Sequence, residues 1–105
     1  MPSAKISVSH ELPPEEALRR LRGLIASLRT QYGAQLTETN ESWHSSGGEI
    51  AFRYSGFAIR GVAEVRIEAV ELEVHFPFAA LPFKSKIEAK IRENISNLLF
   101  SGHAN

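Results

Sequence analysis

From Lys5 to Leu12 the chain sets Ile6, Val8 and His10 against Ser7, Ser9 and Glu11, which predicts a short strand with one buried face. Pro13-Pro14 stops it, and Pro14 suits the first position of a helix, where its missing N–H is no loss. Leu18, Leu21, Ile25, Leu28 and Tyr32, widened by Ala17 and Leu24, then recur at helical spacing. One continuous helix is expected, closed by a left-handed cap at Gly33. Glu15 and Glu16 in its first turn favour the helix dipole and stand four residues before Arg19 and Arg20, the better order for ion pairs.

The next segment, Gln35 to Ser45, is polar apart from Leu36 and Trp43 and predicts a weak strand at the periphery of a sheet. Ser45-Ser46-Gly47-Gly48 reads as a turn. Three well-patterned strands follow. Ile50, Phe52 and Tyr54 share one face, Ser55-Gly56 interrupts, Ile59, Gly61, Ala63, Val65 and Ile67 share the next, and Val70, Leu72, Val74 and Phe76 the last. Arg53, Arg60, Glu64, Arg66, Glu71, Glu73 and His75 take the opposite side, so the meander is antiparallel and covered on one side only. A two-residue turn at Glu68-Ala69 would pair Val65 with Leu72 and Gly61 with Phe76; Glu-Ala is poor turn chemistry, which leaves a longer loop and a shifted register open. The order of strands within the sheet is open as well.

Phe76 to Phe83 breaks the pattern. Phe-Pro-Phe-Ala-Ala-Leu-Pro-Phe is an unbroken apolar run at the handover from sheet to helix, where connections are normally polar. Pro77 and Pro82 remove two donors, so an extended connector is expected, with its side chains folded over the open end of the core. Ser85-Lys86-Ile87-Glu88 matches a capping box, and a second helix begins there with Ile87, Ile91, Ile95, Leu98 and Leu99 inward and Lys86, Lys90, Arg92 and Glu93 outward. The fold class is therefore α+β: strand, helix, four strands, helix, an antiparallel sheet with both helices on one face. The ordered core is expected over residues 4–100 of a single domain, with 101–105 frayed.

Composition narrows the function classes. At 105 residues with 43% hydrophobic and 23% charged, the chain suits one core. Twelve basic side chains balance twelve acidic ones, which leaves no electrostatic footprint for nucleic acid. The absence of cysteine excludes thiolate chemistry and disulfides and suits a reducing compartment. No stretch reaches the length of a membrane span and Met1 to Ser9 lacks a leader pattern, so a cytoplasmic protein is expected.

His10-Glu11-Leu12 leading into Pro14-Glu15-Glu16-Ala17, the helix ending at Tyr32-Gly33, Phe52 with Gly56 and Gly61, and Leu81-Pro82-Phe83-Lys84 before Ile87-Glu88 occur in a familiar order. In these pieces the chain resembles the putative polyhydroxyalkanoic acid system proteins, a bacterial family encoded among genes for polyester storage granules. Pro13 departs from the hydroxyl cap common in similar chains, and Gln35 to Ser45 is more polar. The resemblance implies a role tied to storage granules and brings no active site. The element order also looks like a reduced helix-grip fold, in which a curved sheet and a C-terminal helix enclose an apolar ligand.

The residues themselves suggest no catalytic constellation. Four histidines are scattered, and His75 beside Glu71 and Glu73 reads as a solvated face, with no metal site expected. His10, on the side of Ile6 and Val8, reads as a core-edge imidazole bonded to main chain. Ser45, Ser46 and Ser85 lie in no nucleophile elbow, and Ser46-Gly47-Gly48 lacks the lysine and length of a phosphate loop. No cofactor is implied. The expected function is that of a non-catalytic interaction or regulatory module of the storage system, meeting the granule surface or a granule-system protein. Its contact residues would be Phe76, Phe78, Leu81 and Phe83, acting as an apolar anchor or ligand lid. A small carrier of an apolar ligand is the alternative, and an enzyme acting on acyl or polyester substrates a third reading. An exposed sheet edge permits a homodimer without requiring one.

Overall fold

The computed structural model describes residues 2–100. Strand β1 spans Ser3–Ser9, β2 Leu36–His44, β3 Gly47–Tyr54, β4 Phe57–Val65 and β5 Ala69–His75, and all pair antiparallel in one sheet of order β1-β5-β4-β3-β2. Helices α1 (Pro14–Leu21), α2 (Leu24–Tyr32) and α3 (Lys84–Phe100) cover one face. Alternation decides which face that is. Ala4, Ile6, Val8, Ile50, Phe52, Ile59, Ala63, Val70, Leu72 and Val74 are buried under the helices, while Arg60 pairs with Glu49 and Arg66 with Glu64 and Glu71 on the exposed side. The polar segment after the first helix is an edge strand as expected, bulged between Thr37 and Asn40 with Glu38 at φ 51°. The expected fraying of 101–105 lies outside the described residues.

Several local expectations are corrected. The first helix is not continuous: Gly23 N–H turns back to Arg20 O at 3.0 Å, a tighter bond that separates α1 from α2. Leu98 of α3 stands 3.4 Å from where a Cβ of Gly23 would be, so the break lies where α3 packs against the first helix. Gly47 and Gly48 are buried strand residues rather than a turn. A Cβ on Gly47 would stand 2.1 Å from Ala63 O, so its lack of a side chain serves the close approach of β4. At the β4–β5 hairpin, Arg66 N–H bonds to Ala69 O at 2.8 Å, making Ile67-Glu68 the turn and leaving Ile67 exposed. Val65 thereby faces Val70 and Gly61 faces Val74. The shift from the expected register is even-numbered, so every side chain keeps its face.

Beyond β5, Phe76 donates its N–H to Pro2 O and is fully buried. The run that follows is not extended. Phe78–Phe83 forms a 3-10 helix, opened by Pro77 at φ −72°, ψ 157° and by an Ala80 N–H bond to Pro77 O. Lys84 N–H bonds to Leu81 O and Lys84 is already helical, so α3 grows directly out of this turn. Ser85 consequently lies inside the first turn and is not the cap, because the donors it would have satisfied are met by the preceding carbonyls.

Candidate functional site: an apolar cleft

A cleft of about 250 Å³ opens between the helices and the β2–β4 side of the sheet. Leu28 and Tyr32, one turn apart on α2, form one wall with Leu36 at the start of β2. Phe52 and Tyr54 of β3 and Phe57 and Ile59 of β4 form the floor. The tight turn between those strands, Ser55 at φ 50° and Gly56 at φ 86°, brings the two aromatic ends together. Phe83, Lys86, Ile87, Lys90 and Ile91 complete the rim from the 3-10 turn and α3.

Aromatic contacts shape the mouth. Phe57 and Phe83 lie with ring centroids 6.0 Å apart, and Tyr32 meets Tyr54 edge-on at 5.3 Å. The Tyr32 hydroxyl is buried with no hydrogen-bond partner, and this burial, with Tyr54 and Glu93 nearby, raises its pKa. The polar lining is otherwise Ser55 and the two lysines; no His, Asp or Glu faces the cleft among the described residues. An apolar chain fits such a space.

The anticipated contact residues divide. Phe76 is core and Ala80 is buried beneath the turn, whereas Phe78 is 73% exposed, Leu81 46% and Phe83 49%. The expected folding of the whole run over the core is thus corrected: the 3-10 geometry turns Ala80 inward, and Phe78 and Leu81, three residues apart, eclipse on the outer side. Phe83 belongs both to this exposed group and to the cleft rim.

The other sequence candidates lie elsewhere. His10 is buried at the far end of the sheet, accepting from Leu12 N–H at Nδ1 (3.1 Å) and donating from Nε2 to Arg66 O (2.9 Å), so main chain occupies both ring nitrogens. Ser45 and Ser46 turn at the opposite end of β3 from the cleft. His75 lies 4.0 Å from Glu73 on the outer face, and β1 pairing places it at the other end of β5 from His10. The sequence reading missed Tyr32, Tyr54, Phe57 and Ser55 as lining, and took Lys86 and Lys90 for an outward face. It also missed Asn94, buried on α3, which accepts from Ser27 Oγ at 2.7 Å and donates to Gln31 Oε1 at 2.9 Å and Lys90 O at 2.8 Å. The one available signal was its place in the Ile91–Ile95 stripe.

A curved antiparallel sheet that grips a C-terminal helix over an apolar cleft defines a helix-grip domain. The crystal structure of Ara h 8.0201 shares this fold, with a TM-score of 0.50 at 8% identity, over 96% of this chain and 99% of that one. TTHA0849 from Thermus thermophilus aligns at a TM-score of 0.43 and 12% identity, over 93% of this chain and 92% of that one. No curated protein sequence matches the chain. The family model described as putative polyhydroxyalkanoic acid system protein matches residues 4–99, and the chain belongs to that family, as its motifs indicated. No helix among the described residues is long and apolar enough to cross a membrane.

Proposed function

We propose that the protein is a non-catalytic binding module of the polyester storage system, working in the cytoplasm and meeting granule material through Phe78, Leu81 and Phe83. The observation that carries this reading is their combined exposure on a hydrogen-bonded turn continuous with α3. Phe78 and Leu81 share the outer side of the turn, and Phe83 stands half-exposed at the cleft rim; exposed apolar side chains of this size mark contact surfaces, and roughly 25 cal/mol is gained per Å² of apolar area removed from water. Family membership supplies the setting. Exchanging Leu81 for Ser removes part of the anchor from an already exposed position. The variant is expected to keep its melting temperature within about 4 °C and to lose much of its co-sedimentation with polyester granules. A folded Leu81→Ser protein that co-sediments as fully as the parent would overturn the reading.

The cleft favours a second reading, in which the module also takes an acyl chain between sheet and helices. Its lining is mostly side-chain hydrocarbon, and Phe83 belongs to its rim. In amide NMR spectra, a short apolar probe should then shift Leu28, Phe52, Ile59 and Ile91 together. Shifts confined to the outer sheet face, at Arg60 and Glu71, would remove this reading.

A further inference from the structure

We propose that Lys86 and Lys90 make the cleft selective for a free alkanoate, an apolar chain ending in a carboxylate, over a neutral chain of the same length; this rests on the reading that the cleft takes up an acyl chain. The two lysines stand four residues apart on α3, hence on one face, and both line the cleft beside Ile87 and Ile91. Neither forms an ion pair among the described residues, where the ion pairs use arginine or His75. No carboxylate lines the cleft to compete for them. The two ammonium groups therefore stand at the rim without a paired carboxylate, Glu93 acting on Tyr32 rather than lining the cleft, above a floor that is mostly hydrocarbon.

Each lysine can rest its methylene stem along the apolar wall while its ammonium stays at the mouth. Lys90 is half-buried there. Water is partly excluded at such a place, so an anion is attracted more strongly than on an open surface. The occupant's size follows from the volume: a cavity of about 150 Å³ takes up benzene, so this cleft holds on the order of ten non-hydrogen atoms. Octanoate is that size. The interior of a polyester chain, being neutral, offers nothing to the two ammonium groups, so the cleft distinguishes a released acid from the polymer.

The test titrates the whole chain with octanoate and, separately, octan-1-ol at low salt, by calorimetry. The parent is expected to bind octanoate about tenfold more tightly, the order of magnitude of one favourable charge contact in a partly dry site, and the preference should shrink as salt is added. Lys86→Gln/Lys90→Gln should lose the preference, its affinity for octanoate falling to that for octan-1-ol. Lys5→Gln, which removes a charge from the outer face of β1, should keep both. Equal affinities for acid and alcohol in the parent would overturn the selectivity while leaving uptake of acyl chains standing. Unchanged octanoate binding in the double variant would overturn the assignment to these lysines. If neither probe binds the parent, the selectivity and the acyl-chain reading fall together.

Discussion

Two buried side chains show how local chemistry departs from its surroundings. His10 satisfies both ring nitrogens on main chain, one of them far along the sequence, which fastens the end of β1 to the β4–β5 turn. Tyr32 does the reverse, holding a hydroxyl out of water without any partner. Leaving such a group unpaired costs about 1–3 kcal/mol relative to solvating or removing it. Tyr32→Phe keeps the ring that packs on Tyr54 and discards only that oxygen. Urea melts should show the variant at least as stable as the parent, by up to about 1 kcal/mol, allowing for incomplete relief of the penalty. A clear loss of stability would mean that the hydroxyl has a partner in solution.

At the scale of elements, the helices are held by polar ties as well as by their apolar stripes. Glu16 accepts from Arg19 and Arg20 in α1, and Arg20 continues to Leu99 O, joining α1 to the last turn of α3. Asn94 joins α3 to α2 through Ser27 and Gln31, and Arg92 reaches Ser7 O on the edge strand β1. Bonds from Arg19 first, and then Arg20, hold the Glu16 carboxyl at about 2, well below its ordinary 4.5. Because the folded value is the lower one, the folded state resists protonation, and the stabilisation is complete above about 4.5 and lost as pH falls towards 2. Unfolding free energy measured across that window should fall more steeply for the parent than for Glu16→Gln. Salt should diminish the difference, since Arg19 faces solvent; identical slopes would show that the contacts contribute nothing in solution.

For the whole molecule, protection from water should follow the order of the sheet. β4 and β5 each pair on both sides, and Val70, Leu72 and Val74 are buried against the helices. β2 pairs only with β3 and is mostly exposed. Amide hydrogen exchange should therefore be slowest in β4 and β5 and faster by orders of magnitude in β2, where opening does not need the core to come apart. Comparable protection in β2 would indicate that something covers that edge, a second copy included. The bulge at Glu38 and the charges of Glu38 and Glu41 are features that discourage edge-to-edge pairing.

The sequence by itself determined the α+β class, the order of elements and the buried face of each strand, because alternation is fixed by the pleat and survives an even-numbered slip such as the one at Ile67-Glu68. It marked Phe76–Phe83 as unusual and carried the family motifs. Only the tertiary structure decided that Gly23 breaks the first helix under Leu98, that Gly47 is a strand residue pressed by Ala63 O, and that Phe78 and Leu81 face out while Ala80 faces in. It also decided the cleft. A stripe of apolar residues states that a face is buried, but whether the space between two such faces is filled depends on the volumes and separations of side chains distant in sequence. Leu28, Phe52, Ile59 and Ile91 leave that space open, and the same packing brings Lys86 and Lys90 to its rim.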